Sequence, residues 1–269
     1  MVHSLRINIL PDGDGCNKLF INVMKGYKML LRLDKYLCDM QEGTRSIVKD
    51  MIRKKRVSVN NTIVTRPELK VNTDTDIVCI DGSPIGYSDY EYYMLNKPQG
   101  VVSATSDAHD KTVIDIIADK KRKDLFPVGR LDKDTEGLLI ITNDGELAHK
   151  LLSPKHHIDK MYEATVKGKI ASSCIELFAN GLVVDSRFTA MPAVLDILSY
   201  DASTDTSQIH ITIKEGKYHQ IKRMFAAIDS EVLYLKRLSM GNIQLDKTLK
   251  TGSYRALTDD EITALKDFK

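Results

Sequence analysis

Two carboxylates stand close together in a polar loop between apolar stretches: Asp132 and Asp134, in Phe126-Pro-Val-Gly-Arg130-Leu131-Asp132-Lys-Asp134-Thr-Glu-Gly-Leu. An ionised carboxylate displayed in this way can act as a nucleophile, and two together can hydrolyse a glycosidic bond. Hydrolysis also needs a second placed acid and access for water. A nucleophilic carboxylate in a water-poor pocket needs a cation beside it, because burial alone favours the neutral acid. Lys222 and Arg223, on a helical stretch, are the basic groups that could serve. Tyr162, in an apolar strand-like run, offers a ring and a hydroxyl. Taken singly, Asp132 and Asp134 equally fit turn acids, Tyr162 a core tyrosine, and Lys222 a solvated helix face.

Other chemistries fit less well. His149, His156, His157 and His219 match no zinc spacing, and Cys16, Cys38, Cys79 and Cys174 form no C-x-x-C pair. Gly13-Asp-Gly15 has no Gly-Lys-Ser sequel to make a phosphate loop. Neither a metal site nor a bound cofactor is expected. The sparse cysteines suit a reducing compartment, and no apolar run reaches membrane-spanning length, so a cytoplasmic protein is expected. With 269 residues, 42% hydrophobic and 28% charged, the chain can bury a core without disulfides.

The net charge is only +2, but its distribution is uneven. Arg45, Lys49, Arg53, Lys54, Lys55 and Arg56 crowd one segment against the single acid Asp50. Such a cluster in a near-neutral protein fits a phosphate-facing surface, or a solvated helix face.

The elements that must position these groups divide into two regions. Leu30, Leu33, Leu37 and Met40 recur at helical spacing up to Gly43. A second helix follows a Thr44 or Ser46 cap, with Ile47, Val48, Met51 and Ile52 apolar. Residues 57–64 alternate about Asn60-Asn61, the signature of a hairpin with a primed turn, and 76–80 is a further strand. Residues 82–91, with two glycines and Pro84, read as a linker. Beyond it, strands are expected at 92–95, 138–142, 163–166 and 208–214. Helices are expected at 112–118, 146–152, 172–180 and 219–227, and Thr258-Asp-Asp-Glu261 is a capping box for a final helix. Strands neighbouring strands with scattered helices indicate an α+β fold. Residues 1–28 carry no periodicity. They read as a disordered extension, or as a translated leader upstream of a true start at Met29.

Gly129-Arg-Leu-Asp132-x-Asp-Thr-x-Gly-Leu resembles the central motif of the RsuA-like pseudouridine synthases. Met94-Leu-Asn96-Lys97-Pro98-Gln-Gly100, Ser153-Pro-Lys-His-His157 with Lys160-Met-Tyr162, and Glu215-Gly-Lys-Tyr-His-Gln-Ile-Lys222-Arg-Met resemble that family's other motifs, in its order. Arg32-Leu-Asp-Lys-Tyr and Arg56-Val-Ser-Val-Asn resemble the S4 RNA-binding domain at the family's N-terminus. The resemblance implies an S4-like α/β domain at 29–86. After it, at 90–269, comes a catalytic domain with a mixed, mostly antiparallel sheet.

It also implies isomerisation of uridine to pseudouridine in ribosomal RNA by base flipping, without cofactor or membrane, by a monomer. Asp132 is then the nucleophile, Lys222 the cation that keeps it ionised, and Tyr162 the platform for the flipped uracil. Arg130, Leu131 and Ile221 hold the nucleotide, and Asn96 and Lys97 shape a loop beside the RNA. Arg32, Arg45, Lys54, Lys55 and Arg56 meet RNA phosphates. The likeness is greatest to members acting on 16S rRNA at uridine 516, with an assembly intermediate of the small subunit as the partner. A relative acting on 23S rRNA, or a non-catalytic ribosome-assembly protein, are the alternatives. The intact Asp132, Tyr162 and Lys222 set argues against the latter.

Overall fold

The computed structural model describes residues 30–267, in two compact units that meet in sequence at Tyr87 and Ser88. The expectation for residues 1–28 lies outside the described residues.

The first unit runs β1 (Leu30–Arg32), α1 (Leu33–Asp39), α2 (Arg45–Arg53), β2 (Val57–Val59), β3 (Thr62–Ile63), β4 (Lys70–Asn72), β5 (Val78–Ile80) and β6 (Ser83–Ile85). The first helix starts later than its apolar spacing suggests. Residues 30–32 are drawn into antiparallel pairing with β4, and the free N–H groups of Leu33 and Asp34 donate to the carbonyls of Leu69 and Pro67. Thr44 caps α2 through its side chain, and Val48, Met51 and Ile52 are buried, whereas Ile47 is left exposed.

Asn60 and Asn61 both have positive φ, 49° and 64°, and turn β2 into β3 as expected. Part of the expected linker is instead a strand. Asp81 and Gly82, with φ of 49° and 82°, make a second tight turn that folds β6 onto β5. Pro84 is tolerated because β6 is the edge of the β3-β2-β5-β6 sheet. Leu33, Tyr36, Leu37, Val48, Ile52, Val57 and Val71 form this unit's own core.

The second unit is built on one large sheet. Its elements are β7 (Tyr92–Lys97), β8 (Phe126–Pro127), β9 (Glu136–Thr142), α3 (Gly145–Leu152), β10 (Lys160–Lys167) and α4 (Ser173–Ala179). There follow β11 (Val183–Asp185), β12 (Phe188–Thr189), β13 (Val194–Asp201), β14 (Thr206–Ile213), α5 (Gln220–Ala226), β15 (Val232–Met240), β16 (Ile243–Gln244), β17 (Tyr254–Ala256) and α6 (Asp259–Lys266). The sheet order is β13-β14-β10-β15-β9-β7-β17, with β8 on β9 and β16 on β15. Of its strand pairings only that of β15 with β9 is parallel.

Both faces of the central strands are covered, which explains their unbroken apolar runs. Tyr93, Leu95, Leu139 and Ile141 join one core with Phe178, Met224 and Phe225 of α4 and α5. Tyr92, Met94, Leu138 and Ile140 join another with Leu147, Leu151 and Leu265 of α3 and α6.

One expected helix is absent. Residues 112–118 form turns, although Val113, Ile114 and Ile117 are buried. Thr112 is bridged to Val102, the Asp115 carboxylate accepts from the Thr112 N–H and hydroxyl at 2.8 and 2.9 Å, and the Tyr254 hydroxyl accepts from the Ala118 N–H. So short a segment gains little from helical bonds, and these tertiary partners replace them.

The C-terminus is fastened by Arg255. It donates to Asp246 at 2.8 Å and, through both terminal nitrogens, to Glu261 at 2.8 Å, while Thr258 and Glu261 complete the expected capping box. Bonds from the Thr248 hydroxyl and N–H, then Arg255, hold Asp246 down to about 2, and Arg255 first of all holds Glu261 below its ordinary value. Carboxylates depressed on folding contribute stability above their ordinary range, and that contribution is lost as pH falls through the folded values. Arg255→Met should therefore lower the melting temperature at pH 7, with a deficit that shrinks as pH approaches 3. A deficit independent of pH in thermal melts would contradict this account of the anchor.

Candidate active site

The loop between β8 and β9 carries Asp132, and three neighbours set its shape. The Ser103 hydroxyl accepts from the Leu131 N–H at 3.1 Å and donates to the Leu131 carbonyl at 2.8 Å. The Thr135 N–H closes a turn on the Asp132 carbonyl at 3.0 Å. Lys97, wholly buried, donates from Nζ to the carbonyls of Pro98, Asp132 and Thr135 at 3.0, 3.0 and 2.9 Å, with that of Lys133 at 3.4 Å. An ammonium with three protons finds in these carbonyls a full set of acceptors. Burial pushes its pKa down to about 8, against the pull of Asp134, Asp132 and Glu136, so it stays charged at neutral pH.

The cation comes from α5. Lys222 Nζ lies 3.5 Å from Asp132 Oδ2, but its hydrogen bonds, at 2.6 and 2.8 Å, go to the two oxygens of Asp134. Those bonds hold the Asp134 carboxyl below the usual carboxylate range. His219 Nε2 is 3.6 Å from Asp132 Oδ1. Asp132 thus stands between a lysine and a histidine, with its side chain 30% exposed.

His219 precedes α5 in a left-handed conformation, φ 47°, held by an internal brace. Gln220 donates to Glu215 at 2.9 Å and accepts from the Lys217 N–H at 3.0 Å, and Glu215 also accepts from the Met191 N–H. The Glu-Gly-Lys-Tyr-His-Gln run is therefore a self-tied loop, and that explains its residue types.

Arg130, Leu131, Asp132, Tyr162, Ile221 and Lys222 line a single cleft, together with Thr135, Lys217, His219 and Leu235. Tyr162, on β10, is nearly buried there and Arg130 is exposed. Asn96 and Lys97, expected to shape a loop beside the RNA, do not line this cleft. Asn96 is 2% exposed and donates to the Leu249 carbonyl at 2.8 Å, while Lys97 is sealed beneath the Asp132 loop. Each is buried because its polar atoms have backbone partners. Lys97 acts on the site by positioning it.

Sequence reasoning missed the roles of Asp134, Ser103, Thr135, Glu215 and Gln220. Asp134, Thr135, Glu215 and Gln220 carried no signal beyond membership of the motifs, and Ser103 lies outside them; the partners of Ser103 and Asp134 are distant in sequence. Of the four histidines considered as ligands, only His219 reaches the cleft. Among the described residues no cluster of metal-ligating side chains is assembled.

The basic segment of the first unit forms a surface of its own. Arg45, Lys49 and Arg53 are spaced by four along α2, beside its buried Val48, Met51 and Ile52. Arg32 is paired with Asp34, Lys54 with Asp50 and Arg56 with Asp81. Arg45 and Lys55 are exposed and make no ion pair among the described residues.

The cleft brings a carboxylate, two basic side chains and a tyrosine ring together on a mixed sheet covered on both faces. The comparisons with known proteins give the class of enzyme. Residues 91–227 match the RNA pseudouridylate synthase family and residues 31–77 match the S4 domain. The chain is 42% identical to the RNA pseudouridine synthase YtzG of Bacillus subtilis over 238 residues, covering 88% of this chain and 99% of the relative. It is 38% identical to ribosomal small subunit pseudouridine synthase A of Escherichia coli, covering 87% of this chain and all of the relative. A crystal structure of a pseudouridylate synthase superposes with a TM-score of 0.61 at 35% identity, over 87% of this chain and 99% of the other. The chain belongs to the RNA pseudouridine synthase family, in its S4-bearing RsuA-like branch.

Lys97→Met should leave the carbonyls that define the Asp132 loop unpaired, at about 1–3 kcal/mol for each group left buried without a partner. Pseudouridine formation should fall at least tenfold, with a lowered melting temperature. Wild-type turnover by this variant would show that the clamp is dispensable.

Proposed function

We propose that the chain converts a uridine of 16S small-subunit rRNA to pseudouridine, at uridine 516, with Asp132 as the nucleophile. The observation that carries this reading is the placement of Asp132 in the cleft, 3.5 Å from Lys222 and 3.6 Å from His219, with Tyr162 lining the same space. In the reaction the N1–C1′ bond breaks while Asp132 holds either the sugar or the base. The uracil rotates, C5 bonds to C1′, and the C5 proton is lost as N1 gains one. No electrons are gained or lost overall, so the residues need only supply an anion, a platform and a proton path.

Tyr162 supplies the platform, since any base offers a π-face to an aromatic ring. Arg130, exposed at the cleft, holds the flipped nucleotide, and Leu131 and Ile221 wall it in. Flipping costs a few kcal/mol of stacking, which these contacts must offset. Lys222 binds Asp134 more closely than Asp132 in this structure. It is suited to neutralising Asp132 once substrate fills the cleft and excludes water.

The target rests on the likeness to the Escherichia coli relative, whose name specifies the small subunit, and on a chain that spans the whole of it. The first unit docks on RNA phosphates through Arg45 and Lys55, with Lys54 and Arg56 exchanging their exposed carboxylate partners for phosphate and Arg32 meeting phosphate while it stays paired with the buried Asp34. The enzyme works as a monomer in the cytoplasm, on an assembly intermediate of the small subunit.

Asp132→Asn should abolish pseudouridine formation, measured by mapping 16S rRNA, while RNA affinity changes less than about twofold. Full activity in that variant would remove Asp132 from the nucleophile's role. Arg45→Gln with Lys55→Gln should weaken binding and flatten its dependence on log salt by about 0.7–0.9 for each phosphate no longer neutralised. An unchanged slope would take the docking surface elsewhere.

A further inference from the structure

Next to Asp132 the cleft carries an aromatic group that the reaction above does not use. Tyr218 is 74% exposed, the most exposed of the large side chains with an apolar body among the described residues. Its ring lies flat against His219, with centroids 3.8 Å apart and planes 17° from parallel. The outer face of a ring so exposed and backed is open to a further flat partner.

The pair is held in place from beneath. His219 sits at φ 47°, the Glu215–Gln220 brace fixes the loop on either side, and the Tyr218 carbonyl accepts from Arg223. A side chain this exposed contributes little to the core, so its orientation has no packing reason.

The pair also borders a groove that shares Asp132 with the cleft and is lined by Arg130, Leu131, Lys217, Tyr218 and His219 among others. Arg130 and Lys217 are exposed there, and neither side chain has an ion pair or hydrogen bond among the described residues. Aromatic surface flanked by unpaired cations matches the needs of single-stranded nucleic acid, which offers bases to stack and phosphates to neutralise. A protein partner would instead favour apolar surface and matching carboxylates.

We propose that Tyr218, backed by His219, is a stacking site for the base of a nucleotide adjacent to the flipped uridine, with Arg130 and Lys217 holding the phosphates on either side. The proposal rests on the RNA-modifying function above and adds a second base contact to it. Flipping one base strips its neighbour of a stacking partner, and Tyr218 would supply a replacement at the edge of the cleft.

The test uses the full-length protein and a 16S rRNA fragment spanning the proposed uridine, with a fluorescent adenine analogue placed on its 5′ or 3′ side. Wild-type protein should quench the analogue at one of these positions on binding. Tyr218→Ala should abolish the quenching and weaken binding about tenfold, equivalent to about 1.4 kcal/mol. Tyr218→Phe and Tyr218→Trp should retain both. Quenching by Tyr218→Ala equal to wild type, or wild-type affinity in that variant, would overturn the stacking site. Quenching reports binding and needs no turnover. A protein that quenches through Tyr218 but makes no pseudouridine would therefore overturn the functional reading and leave the platform standing.

Discussion

The arrangement of the catalytic unit depends on one close approach of backbone to backbone. Where β9 meets β15 in parallel, Gly137 lies opposite Arg237, and a Cβ on Gly137 would fall 2.2 Å from the Arg237 carbonyl oxygen. At φ 101° only glycine is at ease there, and the Nε of Arg237 then donates to the Leu138 carbonyl at 2.8 Å. This approach joins the β7–β9 side of the sheet to the β10–β15 side. The loop preceding β9 carries Asp132, and the helix preceding β15 carries Lys222. Bringing those strands together therefore brings the carboxylate to its cation.

A second constraint fixes the loop at finer scale. A buried ammonium is costly unless its protons are satisfied, and Lys97 answers that with carbonyls from both ends of the Asp132 turn. Three carboxylates in and just after the loop, those of Asp134, Asp132 and Glu136, favour its charge. Among the described residues Lys97 makes no ion pair, so it orders the backbone of the loop while the Asp132 side chain lines the cleft. Lys97 thus holds the backbone of the loop, while Lys222 lies 3.5 Å from the Asp132 carboxylate.

The charges outside the cleft are unevenly placed, with basic side chains crowded in the first unit. A protein of net charge +2 can bind a polyanion only if its cations are concentrated or its own carboxylates can be released. In the first unit Lys54 and Arg56 pair with Asp50 and Asp81, both exposed, whereas Arg32 pairs with the buried carboxylate of Asp34. Exposed pairs contribute little to stability in water, so exchanging such a carboxylate for another anion costs little.

Much of this was legible in the sequence because it is local. The Asn60-Asn61 turn, the Thr44 cap, the Thr258–Glu261 capping box and the apolar runs of β7 and β9 each follow from neighbouring residues and backbone preferences. The ordered motifs likewise pointed to the family and to Asp132, Tyr162 and Lys222 as a set. What depends on distant partners was not legible. Residues 30–32 left their helix for β4, residues 112–118 gave up helical bonds to Asp115 and Tyr254, and Lys97 is buried against the carbonyls of a loop some 35 residues away. Nor could spacing show that Lys222 binds Asp134 more closely than Asp132, or that Tyr218 stands exposed on His219. Residue types and short spacings set which elements can form and which groups can react. Which of those groups meet is decided by how the sheet closes, because only the folded chain brings residues 97, 132 and 222 into one place.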